Sequence, residues 1–558
     1  MKLALQKFAP AALVALPIIG FWYYFGVYSV NAPMWDDFVL TDFILRLSDN
    51  PAFSEKIRLF FAQHNAHRIV YDRVVTYLIW VLTGQLDFRM MMLVGNLSLM
   101  GLIALCWQLL KGQGLSLWYL VPVPWLLLTI QGYENTFWAM ASLQNYTVLL
   151  FILGALYCLA LCIQQGSSKA FVGAAVLGIL ATFTSGNGQM TFFIGMLLLV
   201  YFRRWGLLLR WVGIMLPTLG LYFWGYKRLP QELFTPKFFI NFFAFNGAAF
   251  ADGDQYRWAL VVGVLVFVGL FGIFCWKVGL PLLRLKRVYP ALEHTVLYAW
   301  FIFLCITSLL VAASHLEELP IHETLVSRYK IYSHLFLIIS YLWVVILASN
   351  RLKKWFLTAG ILGGMVFWIS AYYQFFDDMH YRNRDLLVTG FNVHQNGTCL
   401  MGISHASAMD SIYQKLEAKQ LYRLPNRIVW PSAVSGGEVH LQVQEVERKL
   451  LYFTPLVKTL AIANQDLLPT INTPTDGALV VLRSARKAFV FSTHQNRNGK
   501  KGFFMGKGYY RSGFFTEIHK PLLPPDTYQV GLLLVENGAS RLLMTPQTIV
   551  VHSNELVE

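Results

Sequence analysis

Charge is scarce in this chain: 13% of its 558 residues are Asp, Glu, Lys or Arg, against 56% hydrophobic residues and a mean hydropathy of +0.50. That balance excludes an ordinary water-soluble protein. Acids are the scarcer sign, 30 against 45 Lys and Arg, for a net charge of +15. Of only six cysteines, five (Cys106, Cys158, Cys162, Cys275, Cys305) lie inside apolar runs and Cys399 alone lies in a polar stretch. No disulfide framework or cysteine metal site is therefore readable. Also missing are a phosphate-cradling GxxxxGK, a GxGxxG after a strand, a GxSxG elbow and an HExxH, which removes nucleotide-driven chemistry and the common hydrolase signatures.

What the chain has is long apolar runs, near 9–29, 91–110, 116–130, 145–163, 170–184, 190–202, 208–225, 258–276, 295–313, 333–349 and 356–374. They approach the length that crosses ~30 Å of hydrocarbon, which predicts a mainly α, polytopic membrane protein of about eleven transmembrane helices. The first run carries Phe21-Trp22-Tyr23-Tyr24-Phe25 and no small-residue cleavage site, so it reads as an anchor rather than a signal peptide. With the N-terminus cytoplasmic, one set of connections collects fourteen basic residues, among them Arg203, Arg204, Lys286, Arg287, Lys353 and Lys354, against the single acid Glu293. Lys and Arg accumulate on the cytoplasmic side, and this distribution accounts for the positive charge without nucleic acid as a partner.

Ile69–Leu82 carries Asp72 and Arg73 in its first turn and is short for a span, so it reads as a helix lying along the outer interface. The first periplasmic loop then runs over 30–89, with helices near 38–48, 52–63 and 69–83. The expected organisation is a transmembrane domain over 1–375, a helical linker over 376–435 with helical spacing from Ser404 to Leu421, and a periplasmic β-rich domain over 436–558. In the last, short runs such as 488–491, 502–504, 528–534 and 548–551 alternate with Gly, Asn and Pro turns, the signature of a small β-sandwich-like fold.

Under this topology several polar clusters share the outer face: Trp35-Asp36-Asp37, Gln63 to Arg68, Gln131 to Asn135, Gln144-Asn145, Ser185 to Gln189, and Ser327 to Lys330. Each has an ordinary reading beside a functional one. Asp36 or Asp37 suits the N-cap of the helix beginning at Phe38. His64 and His67, at i and i+3 on a helical face, suit hydrogen bonding better than metal ligation; no cofactor is demanded by a motif, and a divalent metal is left open. Arg68 and Arg328 occupy places where interfacial arginines are common. Glu134 with Asn135 suits a solvated loop, and Asn187 between glycines suits a turn.

The outer face of a membrane offers no nucleotide pool, so an activated substrate arrives through the bilayer. A sugar on a polyprenyl phosphate meets that demand. Its transfer needs a carboxylate to take the acceptor hydroxyl's proton, for which Asp36 or Asp37 stands, and cations at the departing phosphate, for which Arg328 stands with Arg68 or Lys330. His64, His67, Glu134, Asn135, Asn187 and Tyr329 complete the expected substrate-binding set. The acceptor is an envelope glycan, lipid or protein.

The first span ending in an acidic motif, the long loop of interfacial helices, and the run His67-Arg68-Ile69-Val70-Tyr71 through Leu78-Ile79-Trp80 to Gly84-Gln85-Leu86-Asp87-Phe88-Arg89 resemble the glycosyltransferase C superfamily. That superfamily includes protein O-mannosyltransferases and the lipid A aminoarabinose transferase. The resemblance implies that the acid after the first span, Asp36 or Asp37, is the catalytic base, and that the protein sits in a bacterial inner membrane with its C-terminal domain periplasmic. The chain departs from the family in having Asp36-Asp37 for an Asp-Glu pair and His64-Asn65-Ala66-His67-Arg68 where relatives have a Pro-rich turn. The competing class is a transporter or flippase of a lipid-linked precursor, which would place ionisable groups at mid-membrane.

Overall fold

A computed structural model describes residues 2–227, 236–251, 256–284, 289–314, 325–400, 406–449, 456–553 and 556–557. Lys286 and Arg287 of the basic connections, and Ser404 at the start of the expected linker helix, lie outside the described residues. The chain is mainly helical and divides into two units, Met1–Phe25 with Arg46–Ile79 and Met90–Gln374, and Gly26–Leu45 with Trp80–Arg89 and Phe375–Glu558.

Eight described helices are long and apolar enough to cross a membrane: Phe8–Tyr28, Phe88–Gly112, Ala139–Gln165, Trp205–Phe223, Arg257–Leu283, Leu292–Ala313, Ser327–Leu347 and Asn350–Asn396. They indicate a multi-pass membrane protein. The other three expected crossings are shorter. Ser168–Thr182 and Gly186–Tyr201 are apolar helices, and 116–130 is a 3-10 turn at Leu117–Leu120 followed by the six-residue helix Pro122–Leu127. Pro122 and Pro124 have no N–H to give to a longer helix. Seven of the eight long helices contribute buried residues to a shared core around Trp211, Trp300 and Trp343, while residues such as Leu265 and Val366 remain exposed. Two of these indole N–H groups donate to main-chain carbonyls, Trp211 to Phe192 and Trp300 to Leu153, while Trp343 Nε1 has no partner among the described residues. Gly263 marks a close helix approach, since a Cβ there would stand 1.8 Å from the Phe243 carbonyl oxygen.

The expected loop helices are present as Asp37–Ser48, Phe53–Phe61 and Val70–Thr83. Between the last two the chain forms a two-residue hairpin, β1 Gln63–His64 and β2 His67–Arg68, turned by Asn65 at a φ of 48°. His64 and His67 are therefore a cross-strand pair and do not share a helical face as the spacing suggests.

The final apolar helix continues well past residue 374, to Asn396. In the second unit its last turns pack on a sandwich of strands β3 Gln442–Lys449, β4 Leu456–Asn464, β5 Gly477–Arg483, β6 Ala488–Ser492, β7 His494–Arg497, β8 Tyr510–His519, β9 Asp526–Glu536, β10 Ala539–Val551 and β11 Leu556–Val557. One antiparallel sheet runs β10-β9-β5-β6; the other runs β11-β4-β8-β7, with β3 also on β4. Phe503 and Phe504, read from sequence as part of a strand, belong instead to the short helix Lys500–Phe504.

β5 is apolar from Ala478 to Leu482 because both its faces are covered there. Ala478, Val480 and Leu482 meet Leu460, Ile462, Phe514 and Ile518 of the second sheet, while Leu479 and Val481 meet Val388 and Phe391 of the helix. The outer edge of β6 would present unpaired backbone, an invitation to further strand pairing. The helix closes it with two asparagines one turn apart. Asn392 Nδ2 donates to the Val490 carbonyl (2.8 Å) and its Oδ1 accepts from the Val490 N–H (3.0 Å); Asn396 does the same at Ala488 (2.8 and 3.3 Å).

Replacing the buried Asn392 by Ala strands two backbone groups and is expected to cost about 1–3 kcal/mol of stability, with faster hydrogen exchange at Val490. The more open Asn396→Ala should cost less. Thermal unfolding and exchange unchanged in both variants would refute this role for the asparagines.

Candidate functional site

Nine of the eleven expected site residues belong to the first unit: His64, His67, Arg68, Glu134, Asn135, Asn187, Arg328, Tyr329 and Lys330. The chain here is irregular where a bundle of apolar helices least tolerates it. Residues 130–147 pass through a 3-10 turn, two helices of three or four residues and a π-helical turn before straightening into Val148–Gln165. Residues 327–329 form another 3-10 turn ahead of the helix Lys330–Leu347. Backbone left without helical partners in apolar surroundings must find them from side chains.

It does so through a reciprocal cross-link. Ser327 Oγ donates to the Gln131 carbonyl (2.6 Å) and accepts from the Glu134 N–H (3.2 Å). Glu134 Oε2 accepts from the Arg328 N–H (2.9 Å), and Asn135 Nδ2 donates to the Arg328 carbonyl (2.7 Å). Asn145 Nδ2 in turn donates to Asn135 Oδ1 (2.8 Å). A third stretch joins through Asn187, whose Nδ2 donates to the Tyr332 hydroxyl (2.9 Å). The adjoining Gly186 N–H donates to His67 Nδ1 (3.1 Å), which makes that nitrogen the unprotonated one and ties the hairpin to the same assembly. A Cβ on Gly186 would stand 2.6 Å from His67 Nδ1, so the approach requires glycine.

Polar groups from five separated stretches, around residues 67, 131–135, 145, 186–187 and 327–332, thus form one connected network. Glu134 and Asn135 are buried, so the solvated-loop reading of them does not hold. His67, Gln144, Asn145, Asn187, Arg328 and Tyr329 are half-exposed. Arg328 spreads its guanidinium over the Tyr329 ring, 5.4 Å from the centroid. Asn187 Oδ1 and Gln144 Nε2 are buried atoms without a hydrogen-bond partner among the described residues. Lys330 is buried, and its Nζ donates to the Ala251 carbonyl (3.3 Å).

Arg68 has a different occupation. Its Nε and both terminal nitrogens donate to the carbonyls of Tyr222, Phe61 and Trp224, at the C-terminal ends of two helices, where orphan carbonyls and the helix dipole favour a cation. Burial pulls this guanidinium below its ordinary pKa, with the Tyr222 and Tyr226 phenols acting in the opposite sense. Arg73 repeats the device on the carbonyls of Phe60 and Ala62. Gln63 grips Lys227 from both sides, Nε2 to its carbonyl (2.9 Å) and Oε1 from its N–H (2.8 Å), and His64 lies beside Asn65 (3.3 Å).

Asp36 and Asp37 lie in the second unit. Asp37 is fully buried at the first turn of its helix, its Oδ2 accepting from the Met34 N–H (3.0 Å). Burial, followed by the charges of Asp37 and Asp87, pushes the Tyr422 phenol well above its usual pKa. Asp36 is half-exposed, its carbonyl accepts from the Val39 N–H (3.0 Å), and it follows Trp35, whose φ of 40° is a left-handed strain for so bulky a residue. Asp37 Oδ2 thus serves the Met34 N–H ahead of its helix, and Asp36 is the more exposed of the two acids.

Sequence reading missed Tyr332, Ser333 and His334, which fall in an apolar run. Ser333 Oγ accepts from the Ala249 N–H (3.1 Å), and His334 Nε2 lies 3.1 Å from Gln131 Oε1. The signal available was the polar stripe Ser327, Lys330, His334 at i, i+3 and i+7. Among the described residues no group of three His, Cys, Asp or Glu is placed to hold a metal ion.

Removing the Glu134 carboxylate leaves the Arg328 N–H unpaired, so Glu134→Ala should cost about 1–3 kcal/mol, and Glu134→Gln, which keeps an acceptor, under about 1 kcal/mol. Equal melting temperatures for the two variants would contradict the cross-link. Comparison of the chain with protein-family models, curated proteins and solved structures gave no match.

Proposed function

We propose that this protein is a membrane glycosyltransferase that moves a sugar from a polyprenyl phosphate to an acceptor in the bacterial cell envelope. The observation that carries the reading is the polar network of the first unit. Five stretches that precede or interrupt apolar helices contribute amides, an acid, an imidazole and an arginine, and two buried amide atoms are left without partners. A lipid-linked substrate is the kind that reaches polar groups set among membrane helices, and sugar hydroxyls pair with amides such as those of Asn187 and Gln144.

In this reading the acceptor hydroxyl oxygen bonds to the anomeric carbon as the bond from that carbon to the phosphate oxygen breaks. Configuration inverts and the polyprenyl phosphate leaves as a dianion. The acid that the sequence resemblance names for the hydroxyl proton is Asp36. Arg328 meets the phosphate, which its planar fork contacts through two oxygens. Arg68, engaged with three carbonyls, is not assigned a substrate role, and Lys330 acts by holding its turn. The distribution of Lys and Arg among the connections supports a cytoplasmic N-terminus and a periplasmic C-terminal sandwich in the inner membrane.

The test is transfer by purified protein in nanodiscs, supplied with a panel of polyprenyl-phosphate sugars and followed by release of polyprenyl phosphate. Asp36→Asn should slow release about 10²- to 10⁴-fold, the range general base catalysis supplies, with an unchanged melting temperature. Full activity in that variant removes Asp36 from the mechanism, and no release by the wild type from any donor removes the enzymatic reading.

A further inference from the structure

One stretch of the C-terminal sandwich is rich in positive charge and free of acids. From Gly477 to Thr516 there are eight Lys or Arg residues and no Asp or Glu. Part of this run is the twelve-residue connection between β7 and β8, residues 498–509, which is built as a formed tip rather than a slack loop. Asn498 is its clasp. The Asn498 N–H donates to the Tyr509 carbonyl (2.8 Å), and Nδ2 donates to the carbonyls of Lys507, Gly508 and Tyr510 (3.1, 3.2 and 3.0 Å). Inside the clasp runs the short helix Lys500–Phe504. The Lys507 N–H returns to the Gly502 carbonyl (3.1 Å), and Gly506 and Gly508 turn the chain at φ of 83° and 77°.

The side chains sort into two sets. Phe503 turns inward, its ring 6.1 Å from that of Tyr509. Phe504 and Met505 are 70% and 69% exposed. Around them Lys500, Lys501, Lys507 and Arg511 are exposed, and none of the four pairs with an acid among the described residues. Two large apolar side chains held in water at the tip of an ordered turn, ringed by unpaired cations, match the boundary between phosphate headgroups and acyl chains. A soluble polyanion would satisfy the cations and leave Phe504 and Met505 in water. A sugar-binding face would supply carboxylates for hydroxyls; this run holds none, and the amide nitrogens of Gln495, Asn496 and Asn498 are engaged with its own backbone.

We propose that the 498–509 tip docks on a bilayer containing anionic phospholipid, with Phe504 and Met505 entering the headgroup layer and Lys500, Lys501, Lys507 and Arg511 meeting lipid phosphates. The test is hydrogen exchange of the full chain in nanodiscs of zwitterionic lipid alone or mixed with phosphatidylglycerol. Residues 498–509 should exchange about tenfold more slowly or better with the anionic lipid, given the attraction per cation at such a surface. That protection should vanish in Lys500→Glu/Lys501→Glu/Lys507→Glu and in Phe504→Ser/Met505→Ser. The altered positions are exposed, and exchange elsewhere in the sandwich reports that it remains folded. Identical exchange in the two lipid mixtures overturns the proposal. Protection that appears in zwitterionic nanodiscs on adding a soluble acidic polysaccharide, and not with phosphatidylglycerol, overturns it in favour of a glycan partner.

Discussion

The cross-link between residues 131–135 and 327–328 is the constraint on which the first unit depends. Apolar surroundings give an unpaired N–H or C=O nothing to bond, so a bundle can contain irregular backbone only where side chains replace the missing helical partners. Ser327, Glu134 and Asn135 do this for each other's segments, and the replacement is reciprocal. Reciprocity lets both segments stay irregular, and Arg328 and Tyr329 sit half-exposed in the 3-10 turn ahead of Lys330–Leu347. The geometry that supports a function is thus a by-product of satisfying the backbone.

The same economy runs through the molecule. Several polar side chains serve main-chain groups: Arg68 and Arg73 on helix C-termini, Gln63 on Lys227, Asn392 and Asn396 on the edge of β6, Asn498 on the β7–β8 tip. This gives a criterion for sorting functional candidates in a chain so poor in charge. A polar group fully occupied by backbone is holding the fold, whereas Asn187 Oδ1 and Gln144 Nε2 are not occupied in that way. Arg68 and Arg328 look equivalent by composition, but Arg68 is buried on helix-end carbonyls whereas Arg328 is half-exposed.

How much was legible follows from which signals are local. Helices at 37–48, 53–61 and 70–83 appear within two residues of where apolar spacing and the first-turn acids Asp37 and Asp72 put them. The eight long apolar helices all fall on runs read from hydropathy. What escaped is what periodicity does not carry. A hairpin of two-residue strands has no period to detect, so His64 and His67 were placed on a helix. That the last span runs unbroken into the region expected as a helical linker was not readable, because Asp377, His380 and Arg384 lower the hydropathy without breaking the helix. Phe503-Phe504 looked like strand because two aromatics between glycines have no spacing of their own. In the candidate site the clusters were visible but their pairing was not, since which backbone group Glu134 or Asn135 serves depends on partners almost two hundred residues away.

The central claim is that the polar network of the first unit receives a lipid-borne phosphate through Arg328. Native mass spectrometry of the purified protein, released from nanodiscs loaded with polyprenyl phosphate, tests it directly. The expected result is one polyprenyl phosphate retained by the wild type and by Arg68→Lys, and lost in Arg328→Ala. Retention in Arg328→Ala equal to that of the wild type would contradict it.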